Sequence, residues 1–349
     1  MKDEEFQLQC PLPVSGDRVL LAHGGGGRLM QDLIREIFLR SFDNELLRQL
    51  HDGATFPVGK GTLAFTTDSY VVSPLFFPGG NIGSLAVHGT VNDLAMCGAM
   101  PLYLSAGFIL EEGLSLDMLR KVVESMAKAA EGAGVQVVTG DTKVVDRGKG
   151  DGIFINTAGI GVVSPGVRIG PQEIKVGDRI LLSGDLGAHG LAVMSVREGL
   201  RFTGEIESDS APLHLLVRDL LECGASVHCL RDLTRGGLAT ALNELAAGAK
   251  VGMTVEERRI PVRESVRGAC ELLGLDPLYV ANEGRFVAFV PDAHVEASLA
   301  AMRRHAVAQQ AVQIGTVTAE HPSLVVLRTV LGTHRILDLL SGEQLPRIC

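Results

Sequence analysis

From Asn81 to Met100 the chain carries a single formally charged residue, Asp93. Pro78-Gly79-Gly80 punctuates the sequence just before this stretch, and Asn81 is a suitable N-cap for a helix running to about Cys97. A helix that is apolar on nearly every side is buried. A lone carboxylate on such a helix is costly unless a cation or hydrogen-bond donors meet it. Asp93 is therefore expected to hold a metal or a nucleotide. His88 and Asn92 read two ways, as members of the same site or as satisfied polar groups inside the fold.

The 349 residues suffice for two domains, and 46% hydrophobic residues exclude a disordered chain. Acidic residues outnumber basic ones, 41 to 32, and the net charge of -9 argues against nucleic acid or an anionic membrane as partner. Trp is absent and Tyr numbers 3, which disfavours a base-stacking surface. The six cysteines (Cys10, Cys97, Cys223, Cys229, Cys270 and Cys349) are scattered without a Cys-x-x-Cys pair, so neither a zinc framework nor a disulfide scaffold is expected. Met1 to Glu5 does not resemble a signal peptide, and the uncharged run Leu94 to Leu110 is interrupted by Gly98 and Pro101. A soluble, cytoplasmic protein is expected.

Several segments end at chemistry-bearing residues. Gly24-Gly25-Gly26-Gly27 precedes a helical pattern from Leu29 to Leu39, and such a loop presents backbone N–H groups to a phosphate. No Gly-Lys-Ser/Thr follows it, so it is not a Walker motif. Gly61 to Val72 reads as a strand carrying Asp68 and Ser69. Ser115 to Ala130 is an amphipathic helix with Leu119, Val122, Val123, Met126, Ala127 and Ala130 on one face. A short strand, Val135 to Val138, then ends in Thr139-Gly140-Asp141-Thr142-Lys143. A carboxylate suits Mg²⁺, and a lysine neutralises a transferring phosphoryl group.

Ser164-Pro165-Gly166 marks a boundary, after which a strand near Ile180 opens a second domain. His189, in the helix that follows, reads as structural rather than catalytic. Arg231-Asp232-Leu233-Thr234-Arg235-Gly236-Gly237 at a helix start makes an anion-friendly site. Glu283, within Ala281-Asn282-Glu283-Gly284, acts as a base or simply ends a hairpin. The expected organisation is an extension at 1–17, domains at 18–165 and 166–336, and a mobile tail at 337–349. Pro346 disfavours helix in that tail, which would span roughly 40 Å when extended and ends in Cys349.

Together, His23 to Gly27, Thr67-Asp68-Ser69-Tyr70, Pro78 to Gly83, Asn92-Asp93, Thr139 to Lys143, Asp232-x-Thr234-Arg235-Gly236-Gly237, Ala281 to Gly284 and the terminal Pro346-Arg347-Ile348-Cys349 occur in this order. The chain from about Val19 to Cys349 resembles the HypE family of hydrogenase maturation proteins. That family groups with aminoimidazole ribonucleotide synthetase, selenophosphate synthetase and thiamine-monophosphate kinase. The resemblance implies a two-domain α+β fold of mixed sheets with flanking helices and a flexible C-terminal tail. It also implies a homodimer formed through the first domain's sheets, with ATP near the subunit interface.

The implied activity is ATP-dependent dehydration of an S-carbamoyl group on Cys349 to a thiocyanate. The product supplies the cyanide ligand of nickel–iron hydrogenases. Asp68, Asp93, Asp141 and Asp232 would hold Mg²⁺. The four glycines, Asp68, Ser69, Asn92, Gly140, Asp141, Thr142, Arg235 and Gly236 would surround the nucleotide. Cys349, Lys143 and a base, Glu283 or His88, would act on the carbamoyl group. Implied partners are a carbamoyltransferase that loads Cys349 and iron-holding hydrogenase assembly scaffold proteins. Two other readings are a phosphotransferase like selenophosphate synthetase and a non-catalytic cyanide carrier. His23 stands where the phosphotransferase carries its reactive Cys, and the set of acids with Lys143 speaks against a carrier.

Overall fold

The structure, a computed structural model, describes residues 19–200, 206–340, 345 and 347–349. The expected extension at 1–17, with Cys10, and the tail's Pro346 lie outside the described residues. In chain order the strands are β1 (Ala54–Val58), β2 (Gly61–Tyr70), β3 (Phe76–Phe77), β4 (Gly80–Asn81), β5 (Ala99–Glu111), β6 (Gln136–Val145) and β7 (Ile153–Val163). They continue with β8 (Arg179–Leu182), β9 (Cys229–Asp232), β10 (Gly252–Glu256), β11 (Phe286–Val290), β12 (Val312–Thr318), β13 (Val325–Arg328) and β14 (His334–Ile336). One sheet has the order β1-β2-β7-β5-β6, with only β5 and β6 parallel. A second sheet runs β14-β13-β10-β12-β8-β11-β9, and β3 pairs with β4 alone. The fold is α+β with two domains.

The helix Ile82–Met96 sits where the two domains meet. Asn81 caps it by accepting from Gly83 and Ser84 N–H, while the Ser84 hydroxyl accepts from Asn81 N–H. Its sides are apolar because it is covered twice, by its own sheet and by the second domain's helix His214–Glu222 and strand β9. Asn92 clamps that contact. Its amide donates to Ala211 O and Glu283 O at 3.0 and 3.1 Å, and its carbonyl accepts from Leu213 N–H at 2.8 Å.

The helix Leu116–Gly132 covers the same sheet, burying Val122, Met126 and Ala130. Val123, expected on that face, is exposed, so the buried stripe is narrower than the spacing predicts. Among the described residues of the single chain nothing covers the opposite face of the sheet, leaving Phe65, Tyr103, Ile160 and Val162 open. The strand at Gln136 runs on to Val145 instead of ending at Val138, and forms the sheet's edge. In the second domain, apolar clusters pack both faces of the seven-stranded sheet. Leu337, expected to begin the tail, is fully buried there and donates its N–H to Val325 O.

Candidate active site

A cavity of about 270 Å³ opens where the end of β2, the helix Ile82–Met96, the end of β9 and the last residue of the chain meet. Each contributes an acid or a thiol. The last turn of the helix brings Asp93, whose carboxylate accepts from Thr66 Oγ1 at 2.8 Å. Asp232 comes from the end of β9, and Asp68 from β2, where Tyr70 OH donates to it at 3.0 Å. The fourth acid is Asp52, from the loop before β1, paired with Arg231 at 3.1 Å.

Ligand oxygens of Asp52, Asp93 and Asp232 lie within 4.8 Å of one another. Burial, and then repulsion from Asp68, Asp232 and Asp52, pushes the Asp93 carboxyl well above its usual range. Asp232 is raised in the same way, by burial and by Asp52, with Arg231 opposing. Asp52 alone among the three is lowered: burial raises it, and Arg231, His51 and a backbone hydrogen bond together overcome that. Buried carboxylates that destabilise one another's charge fit a divalent cation, and an all-oxygen donor set fits Mg²⁺. Asp52 was not anticipated from the sequence.

Facing the acids is Arg235, which follows β9 and precedes the helix Gly237–Ala249. Its guanidinium donates to Gly24 O at 3.3 Å, so the glycine run lies across it. Gly26 adopts a left-handed φ of 74°, and a Cβ there would come 3.1 Å from Arg235 O. Glycine is thus required for close approach as well as for conformation. Gly26 lines the main cavity, whereas Gly25 lines a small adjoining hollow with Arg235, Gly236 and Ile348. Gly24 has open space beside it, and Gly27 precedes the helix Arg28–Leu33. Gly236 caps the helix Gly237–Ala249 with φ 73°, and Ser69 lines the main cavity.

Glu283 projects into the cavity from a pinned loop. Its own N–H and that of Gly284 donate to the Asp209 carboxylate, and the neighbouring Asn282 accepts from Gly187 N–H. The Glu283 side chain is buried, and Oε1 has no hydrogen-bond partner among the described residues. Burial, with Asp232, Asp209 and Asp68 nearby, pushes its carboxyl well above the usual range.

The tail is seated. Val71 N–H donates to Cys349 O at 3.0 Å and Ser73 N–H to Arg347 O at 3.2 Å, so the last residues run antiparallel to the chain that leaves β2. Arg347 pairs with Asp151 and donates to Val71 O. Ile348 is 2% exposed and packs into the first domain's core. Cys349 therefore enters the cavity beside the acids. Burial pushes its thiol up to about 12, with Arg235 opposing and Glu283, Asp68 and Asp232 adding to the shift.

Other expected site residues lie elsewhere. Gly140, Asp141, Thr142 and Lys143 sit on β6, the first three bordering a separate open hollow. Asp141 and Lys143 there pair with each other at 2.6 Å, both largely exposed. The single chain does not bring them to Cys349. Gly140 has a local reason to be glycine, since a Cβ would meet Ala106 O at 2.4 Å. Asn92 is spent on the domain contact and does not reach the cavity. His88 bonds Ser210 Oγ through Nδ1 at 2.9 Å, and burial lowers its pKa to about 4. It is not among the residues that line the cavity with Cys349.

Family models described as "AIR synthase related protein", N-terminal and C-terminal domain, match residues 50–163 and 175–327. A protein from Azotobacter vinelandii named "Carbamoyl dehydratase HypE" is 56% identical over 97% of this chain and 99% of its own length. The chain belongs to the HypE family. An Escherichia coli K12 member with the same name is 47% identical over 95% of this chain and all of its own. Among solved structures, HypE in complex with ATP superposes with a TM-score of 0.80 at 52% identity, covering 95% of this chain and 100% of that one. A chain of a HypE-HypF complex reaches 0.84 at 48% identity, covering 88% and 99%.

Proposed function

We propose that this HypE-family chain is an ATP-dependent carbamoyl dehydratase of hydrogenase maturation whose substrate is its own last residue. The observation that carries this reading is the position of Cys349 Sγ, in one buried cavity with four carboxylates, Arg235 and Glu283. The free thiol is held protonated when seated, which makes it a poor nucleophile. Loading with the carbamoyl group therefore belongs to a withdrawn tail. The solved HypE-HypF complex supports a carbamoyltransferase as the partner that loads it.

Once the loaded tail is seated, the amide oxygen faces the cavity. That oxygen is a poor leaving group until the γ-phosphate of ATP is transferred to it. Loss of the nitrogen's protons then expels phosphate and leaves S–C≡N, with ADP as the other product. Arg235 lies beside the sulfur, where it offsets negative charge on the reacting group. Glu283, buried and with a raised proton affinity, is the base we assign. The reaction needs water kept from the activated amide, which would otherwise hydrolyse. Asp52, Asp93 and Asp232, with Asp68 beside them, would hold Mg²⁺. When bound, it supplies neutralisation of the phosphate oxygens.

The exposed sheet face and the apolar edge residues Val137, Val138 and Val144 support a homodimer through the first domain. A second copy is then the source of Asp141 and Lys143 for this cavity. Iron-holding assembly scaffold proteins would receive the cyanide. No helix among the described residues is long and apolar enough to cross a membrane. The described cysteines are all free, which suits a reducing cytoplasm, where we place the protein.

The test is mass analysis of the C-terminal peptide after incubation with a carbamoyl donor, its transferase and ATP. The peptide gains a carbamoyl group and then loses one water. Cys349→Ala binds ATP but forms no product. Glu283→Gln accumulates the carbamoylated peptide, with turnover reduced by about 10²–10⁴. Thiocyanate formed elsewhere on the chain would overturn the reading.

A further inference from the structure

The helix Ala188–Arg197 presents one stripe to the tail: His189, Val193 and Arg197, at i, i+4 and i+8. Arg197 donates to Arg347 O at 2.7 Å. Val193 lies in the same apolar cluster as Ile348. Beside the stripe, Gly190 leaves room for Val280 and for Leu345, since a Cβ there would come 2.6 Å from Val280 Cγ1 and 3.1 Å from Leu345 Cδ1. At the head of the stripe His189 Nε2 contacts Ile348 O at 3.0 Å. A carbonyl only accepts, so Nε2 carries the proton. His189 is fully buried, which keeps the ring neutral, so Nδ1 accepts from Ser208 Oγ at 2.8 Å. Ser208 Oγ in turn accepts from Ser210 N–H, and Phe77 packs edge-on against the imidazole. Ser208 and Phe77 hold the ring's orientation, and the Ile348 carbonyl selects the tautomer with the proton on Nε2.

We propose that His189 is the positioning residue that fixes Cys349 in the reaction cavity, by holding the carbonyl of Ile348 from a helix face shaped for the tail. The peptide bond it holds is the one joining Ile348 to Cys349, so its position sets how far the sulfur reaches. Withdrawal of the tail strands a buried Nε2–H donor and empties the Ile348 socket, and both bias the tail towards its seat. The inference rests on Cys349 as the carrier of the reacting group.

The test uses the full-length chain and iodoacetamide, with alkylation of Cys349 and of the buried Cys229 followed separately by mass spectrometry. His189→Ala is expected to speed Cys349 alkylation by about tenfold and to leave Cys229 unchanged. His189→Gln, which keeps a donor, is expected to stay within about threefold of the natural chain. Ser208→Ala, a milder change that loosens the ring's orientation, gives an intermediate rate. On carbamoylated chains, His189→Ala slows single-turnover dehydration at unchanged KM for ATP. Parallel acceleration at Cys229, or a Gln variant no better than Ala, reduces His189 to a packing role and overturns the proposal. If the alkylation pattern holds while the natural chain never dehydrates its carbamoyl group, the catalytic reading fails and the seat stands.

Discussion

Four carboxylates in one buried cavity repel one another, and each becomes easier to ionise once a divalent cation lies among them. Asp52 is the member already held ionised, by Arg231. Asp52→Asn is expected to raise the Mg²⁺ concentration for half-maximal ATP turnover by about tenfold or more, read from a magnesium titration. An unchanged titration would remove Asp52 from the metal site. Asp93 was legible because it is the one charge on an apolar helix. Asp52 was not, because its role depends on an arginine far along the chain. His88 makes a separate prediction. Its folded pKa, about 4, lies below the unfolded value near 6.5. Above pH 6.5 neither state binds the proton. As pH falls from there towards 4 the unfolded chain gains it first, so stability drops, by up to about 3 kcal/mol. Urea midpoints between pH 7 and 4.5 should fall less steeply for His88→Gln. Parallel curves would sink the assignment.

At the scale of elements, the helix Ile82–Met96 shows how burial and polarity combine. Its capping residue and its buried character were both readable from the sequence, since each depends on local spacing. What lies against it was not, so Asn92 read equally as a site residue and as a satisfied polar group; its three hydrogen bonds go to the contact between domains. Asn92→Ala removes three hydrogen bonds and leaves Leu213 N–H, Ala211 O and Glu283 O to find other partners. A loss of about 2–4 kcal/mol is expected in urea unfolding, with ATP affinity of the folded protein unchanged. A stable variant with weakened ATP binding would restore Asn92 to the site. Strand β6 misled in the other direction. Thr139-Gly140 resembles a turn, but Gly140 is there because the Ala106 carbonyl leaves no room for a Cβ, and the strand continues through it after a register shift at Val138.

At the scale of the molecule, the acids, Arg235, Glu283 and Cys349 gather within one chain, while Asp141 and Lys143 stay on an exposed edge. A sheet that exposes apolar residues on one face and along its edge strand invites a second copy. If that copy lends Lys143, each active site is shared, and two inactive variants can repair one another. Glu283→Gln spoils the site in its own subunit, and Lys143→Ala spoils the site in its neighbour. A mixed dimer then has one site with both defects and one with neither. Subunits exchanged at equal concentration form mixed dimers half the time, so about a quarter of the natural activity is expected to return. The measurement is dehydration of carbamoylated Cys349 before and after exchange, with each variant alone as control. Recovery shows that the site spans two chains. If mixing restores nothing although sedimentation confirms mixed dimers, Lys143 acts within its own chain or not at all. Its pairing with Asp141 on β6 would then be an exposed ion pair of little consequence.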